Sequence, residues 1–178
     1  MRALRSVLDF LYLLGGVGGA LALAAIAVII AAQVGGRFLG RTVPGADDLT
    51  AFAVAASALL PLAYAFRHGT HIRVDLIIGA LRGRARFALE AVALLLALAM
   101  VVMLAWALSD LASDSLAFDD VAQGSVAWKL WIPQALAAMG AALFALSLLD
   151  DLVVHLAGGT PSYRRAGGSA LDRAGEEL

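Results

Sequence analysis

The sequence predicts an all-α membrane protein: four transmembrane helices, with a short amphipathic interfacial helix between the second and the third. Two observations carry that expectation. Hydrophobic residues make up 62% of the 178 residues and charged ones 15%, with a mean hydropathy of +0.88, against roughly half apolar and a quarter charged in soluble domains. The charges are also segregated, leaving four stretches without Asp, Glu, Lys or Arg: residues 10–36, 49–66, 91–109 and 130–149. A helix needs about 17–25 residues to cross a hydrocarbon core. So few polar residues could not cover four such helices in water.

The first stretch follows "MRALRSVLD" and contains "LALAAIA", imitating a secretory leader. Its apolar run exceeds the roughly 7–15 residues of a leader, so it reads as an uncleaved anchor. Gly15 and Gly19 form a GxxxG, with Gly16, Ala20 and Ala24 as a parallel small stripe. Such stripes let membrane helices approach closely. The second stretch is the shortest, 18 residues, which reaches about 27 Å at 1.5 Å per residue. Its Pro61 removes a backbone donor and predicts a kink. In the fourth, Ala137, Ala141 and Ala145 repeat the small-residue spacing.

Between the second and third stretches lies "AFRHGTHIRVDL", residues 65–76, followed by "IIGALRGRARFALE". From Ile72, the apolar Leu76, Ile77, Ala80 and Leu81 recur at three- and four-residue spacing, while Arg73, Arg82, Arg84 and Arg86 supply a polar side. This pattern predicts a helix lying flat at the interface with its arginines on lipid phosphates. Asp75 fits a helix start or a partner for an arginine. His68 and His71 stand three apart with no third ligand nearby, and read as hydrogen-bonded histidines rather than a metal site.

Positively charged short loops stay cytoplasmic. Arg2, Arg5, Arg67, Arg73, Arg82, Arg84, Arg86, Arg164, Arg165 and Arg173 fall on one side, ten of the 13 Arg and Lys, and Arg37, Arg41 and Lys129 on the other. Both termini are therefore expected in the cytoplasm. The loop carrying Asp110, Asp114, Asp119 and Asp120 is expected outside. Trp106, Trp128 and Trp131 fit an outer aromatic belt, and Tyr12 and Tyr64 an inner one. Residues 1–156 are expected to form the membrane domain, and the Gly-rich, polar residues 157–178 a mobile cytoplasmic tail.

No span contains Asp, Glu, Lys, Arg or His, whereas pathways for ions or carboxylates carry ionisable groups or broken helices near the midplane. No nucleophile, base and orienting group converge, so an enzyme is disfavoured and no cofactor is expected. An alternative is a haem-carrying membrane anchor of a respiratory oxidoreductase, which requires facing histidines within spans. His68, His71 and His155 lie at or beyond the span ends. An autonomous small transporter is opposed by the missing midplane charges.

The stretch "GADDLTAFAVAASALLPLAYAFRHGTHIRVDLI" resembles the small membrane subunit (DctQ type) of tripartite ATP-independent periplasmic (TRAP) transporters. Asp47 and Asp48 match the acidic pair that opens the second span, and Gly69, His71, Ile72, Arg73, Val74 and Asp75 match the basic turn behind it. The Pro-containing "LWIPQALAAMGAALFALSLLDDLV" is similar to the fourth helix of that subunit, and the likeness runs over residues 8–156. Members more often carry Trp and Glu where this chain has Gly45 and the Asp pair. The resemblance implies a scaffold subunit of the bacterial inner membrane. It would brace a larger, sodium-driven permease subunit that imports an organic acid or similar solute delivered by a periplasmic binding protein. Membrane lipids are the other expected partner, and nucleic acid is not.

Overall fold

The computed structural model describes residues 2–69 and 83–162. Five helices lie among them: α1 (Arg2–Phe38), α2 (Ala46–Leu59), α3 (Leu62–Arg67), α4 (Gly83–Ala117) and α5 (Trp131–Leu156). Four segments are long and apolar enough to cross a membrane, Arg5–Phe38, Ala46–Arg67, Arg84–Ala117 and Trp131–Leu156, the second being α2 and α3 together. The four expected spans are thus present. The expected interfacial helix falls largely on residues 70–82, outside the described residues.

The helices outrun their apolar stretches. α1 has 37 residues and α4 has 35, over 50 Å each by helical rise, against about 30 Å of hydrocarbon. Consequently Asp110 and Asp114, expected in a loop, sit in the last turns of α4; a charge at the membrane surface ends an apolar run without ending a helix. α4 stops where Asp119 takes φ 56°, a left-handed conformation that Asp tolerates better than most residues. The loop behind it is closed by a bridge between Val121 and Lys129, with the Ala122 N–H donating to Trp128 O at 2.8 Å. Lys129 also pairs with Asp119. At the start of α2, Gly45 (φ 69°) donates its N–H to Ser125 Oγ at 2.7 Å. The α1–α2 and α4–α5 loops therefore meet at one end of the bundle, and the described ends of the chain lie at the other.

Pro61 does more than kink the second span. α2 ends at Leu59, Pro61 caps α3, and the missing proline N–H leaves the Ser57 carbonyl without its helical donor. The break is clamped by glycines from two other helices. A Cβ on Gly15 would lie 2.6 Å from Leu60 O, one on Gly19 2.6 Å from Pro61 Cδ, and one on Gly140 of α5 2.8 Å from Leu59 O. On Gly15 and Gly140 a hydrogen stands there instead, facing the carbonyls of Leu60 and Leu59 as a weak C–H donor. The Gly15–Gly19 stripe serves packing within the chain.

α5 is the central helix. Half of its most apolar window is buried, against 11% for α1 and 6% for α4. Its inner face recurs at helical spacing through Ala137, Ala141, Leu148, Leu152 and His155. Leu148 and Leu152 join Leu94 of α4 in a core that Phe66 and Phe144 flank.

Candidate functional site

Polar groups gather where the helices end, and the richest gathering lies at the end that carries the start of α1 and the end of α5. Arg67, the last residue of α3, forks between two helices: Nη2 lies 2.8 Å from Asp9 Oδ1 of α1, and Nη1 donates to Asp150 Oδ2 of α5 at 2.6 Å. Beneath it lies the ring of Tyr12, its centroid 5.5 Å from Arg67 Cζ, within cation–π range. Tyr12 is 1% exposed, so it does not belong to an inner aromatic belt. Position 12 continues the Gly15–Gly19 stripe that faces α2 and α3, and this turns the ring inward. Tyr64 is half-buried, and its ring packs on Gly16.

A second knot joins α4 and α5. The Glu90 carboxylate is fully buried, receives Arg86 Nε at 3.3 Å and lies 3.8 Å from His155 Nδ1. His155 Nε2 is 3.0 Å from Phe87 O and must donate to it, since a carbonyl only accepts; the ring also stacks on Phe87. With both nitrogens facing these groups, His155 is not placed as a haem ligand. Arg86 thus bonds to Glu90 within α4, and Arg84 is exposed. Arg73 and Arg82, the other two arginines assigned to lipid, lie outside the described residues.

Behind α5 the chain turns through Gly158 (φ 76°), with Gly159 N–H on Val154 O and Gly158 N–H on His155 O, a Schellman-type end. The buried Asp151 then accepts from the Ser162 N–H at 3.0 Å and from its hydroxyl at 2.6 Å. The chain stays packed through Ser162, and residues 163–178 lie outside the described residues.

At the opposite end, Asp47 and Asp48 occupy the first turn of α2, where carboxylates complement the helix dipole. Asp47 Oδ1 accepts from Gln33 Nε2 of α1 at 2.8 Å, and the Asp48 side chain lies against Gly124 of the α4–α5 loop. The acidic pair thus fastens α2 to both neighbouring segments. Gly69 (φ 69°) ends α3, donating its N–H to Phe66 O at 3.1 Å. His71, Ile72 and Asp75 of the same motif lie outside the described residues. His68 turns back on its own helix, with Nδ1 2.8 Å from Tyr64 O and its ring 4.0 Å from that of Tyr64.

Reading the sequence did not single out Asp9, Glu90, Asp150 or Asp151. One trace of them was there: Ser147, Leu148, Asp151, Leu152 and His155 share a helical face, so polar residues had to lie on the buried side of α5. Among the described residues no group of three His, Cys, Asp or Glu is placed to hold a metal ion. What the geometry provides is fastening. Charges at both ends bind the helices to one another, and the spans between are apolar.

No curated protein matches the chain. The family described as "Tripartite ATP-independent periplasmic transporters, DctQ component" matches residues 26–158. The match runs from the last third of α1 through the whole of α5, well over half of the chain, and takes in the acidic pair, Pro61, Arg67 with Asp150, and the Glu90 knot, while Asp9 and Tyr12 precede it. The chain therefore belongs to the DctQ component family of tripartite ATP-independent periplasmic transporters, the small permease component of that transport system.

Proposed function

We propose that this chain is a static scaffold, bracing a larger membrane subunit that moves the solute. That subunit would draw on a sodium gradient and take an organic acid or similar solute from a periplasmic binding protein. The observation that carries the reading is the dryness of the spans. The four apolar stretches, residues 10–36, 49–66, 91–109 and 130–149, contain no Asp, Glu, Lys, Arg or His, and a charge at the bilayer centre costs at least about 2.5–3.5 kcal/mol. Broken helices can supply ion sites through freed carbonyls. Here Pro61 frees the Ser57 carbonyl, and Gly15, Gly19 and Gly140 pack closely against the backbone and proline ring beside it. The faces available to a large subunit are those of α1 and α4, the helices least covered by their own chain.

Reconstitution tests the division of labour. Liposomes holding this chain alone, even with the binding protein supplied, are expected to take up no solute under a sodium gradient. Uptake should require the large subunit, and omitting this chain should abolish or strongly reduce it. Gradient-driven uptake by the isolated chain would overturn the scaffold reading.

Orientation belongs to the same proposal. The arginine asymmetry supports a bacterial inner-membrane protein with both termini in the cytoplasm. Alkaline phosphatase fused after Asp119 is expected to be active and fused after Arg84 inactive. The reverse pattern would invert the assignment.

A further inference from the structure

At the boundary of the membrane a groove opens beside the Arg67 knot, lined by Asp9, Tyr12, Leu13, Tyr64, Arg67 and His68, with a volume of about 360 Å³. Its depth follows from the sequence. Asp9 is the last charge before the first apolar stretch and Arg67 the first charge after the second, so the groove sits where headgroups meet hydrocarbon.

The polar rim is rich in acceptors. Arg67 faces two carboxylates, Asp9 and Asp150, so the three together carry a net negative charge. Asp9 commits Oδ1 to Arg67, while Oδ2 has no partner among the described residues and the side chain is 55% exposed. His68 must donate from Nδ1 to Tyr64 O, which leaves Nε2 of the neutral ring as an acceptor. The Tyr64 hydroxyl can accept as well. The Tyr12 hydroxyl is buried at the wall without a hydrogen-bond partner among the described residues. One helical turn from Asp9 on the same face of α1, Leu13 is 46% exposed and supplies an apolar step toward the hydrocarbon.

We propose that this groove binds the headgroup of a lipid bearing a primary ammonium, of the phosphatidylethanolamine class. Its three N–H donors meet the free oxygen of Asp9, Nε2 of His68 and the Tyr64 hydroxyl, and its acyl chains run down past Leu13. A primary ammonium satisfies the rim because it brings both the opposite charge and the donors. A quaternary choline brings the charge without the donors, and an anionic glycerol headgroup would face the Asp9 carboxylate. The inference goes beyond the scaffold reading and is independent of the solute carried.

The test uses the full-length protein, purified with whatever membrane partner it carries. It is exchanged into an equimolar mixture of phosphatidylethanolamine, its N-methyl and N,N-dimethyl derivatives, phosphatidylcholine and phosphatidylglycerol. Retained lipid is counted by native mass spectrometry. Phosphatidylethanolamine is expected to be enriched about tenfold over phosphatidylcholine, as the loss of charge-assisted hydrogen bonds implies. Retention should fall stepwise with methylation. His68→Ala and Tyr64→Phe, which leave the Arg67 ion pairs in place, should each reduce the enrichment, and Asp9→Asn should remove it. Equal retention of the five lipids, preference for phosphatidylglycerol, or an enrichment untouched by His68→Ala would each overturn the proposal.

Discussion

Replacing Gly140 with alanine is expected to lower the thermal unfolding midpoint sharply and to cut the yield of folded protein, although it adds one methyl group to an apolar helix. The new Cβ would lie 2.7 Å from the carbonyl carbon of Leu59, 2.8 Å from its oxygen and 2.9 Å from the Leu60 nitrogen. All three are backbone atoms of the Pro61 break, and none can rotate away. Overpacking a core typically costs about 1–3 kcal/mol; a backbone wall puts this site at the upper end. Gly15→Ala should behave alike, since its Cβ would meet Leu60 O at 2.6 Å. The control is Gly35→Ala, where nothing lies within 4 Å and helix propensity favours alanine by up to about 1 kcal/mol. Midpoints followed by size-exclusion chromatography after heating in detergent would decide. If Gly140→Ala melts with Gly35→Ala, the break is not clamped and its carbonyls are open to other partners.

This clamp shows where sequence reading reaches its limit. Runs without charge gave the four spans, because the bilayer excludes charge whatever the tertiary fold. Gly15, Gly19 and Pro61 were each legible as packing features for the same local reason. Their meeting was not, since nothing in one helix says which neighbour its glycines face; Gly140, the third jaw, has no GxxxG partner to mark it. The ends of α1 and α4 were misjudged because a charged residue stops hydropathy without stopping hydrogen bonding, so Asp110 and Asp114 were assigned to a loop. The knots were hidden by distance along the chain. Arg67 and Asp150 are 83 residues apart and His155 and Phe87 are 68 apart. Separations of that size are set by how four helices pack, not by local pattern. Position 12 misled for a related reason: a tyrosine near a span end fits an interfacial belt, and only the side it faces, toward Arg67, makes it core.

The Arg67 knot carries the other large effect, and its two arms are unequal. Removing one partner of a buried ion pair costs about 3–5 kcal/mol, whereas an exposed pair contributes about 0–1 kcal/mol. The Asp150 side chain is 22% exposed and that of Asp9 55%, over an arginine at 15%. Asp150→Asn is therefore expected to destabilise clearly more than Asp9→Asn. Arg67→Met should be worst, because it leaves two carboxylates near Tyr12 without a counter-charge and removes the side chain of α3 that joins α1 and α5. Arg67→Lys should rescue little. A single ammonium cannot reproduce the guanidinium fork that reaches Asp9 and Asp150 from two separate nitrogens. The decisive variant is the double change Arg67→Met with Asp150→Leu. Replacing both members of a buried pair by apolar groups is often neutral or stabilising, so the double variant should recover much of what Arg67→Met loses, as read by the same thermal assay. If it is no more stable than Arg67→Met alone, the loss did not come from a stranded carboxylate. Arg67 would then act through its stacking on Tyr12 and its packing in the bundle, and the ion pairs would be bystanders.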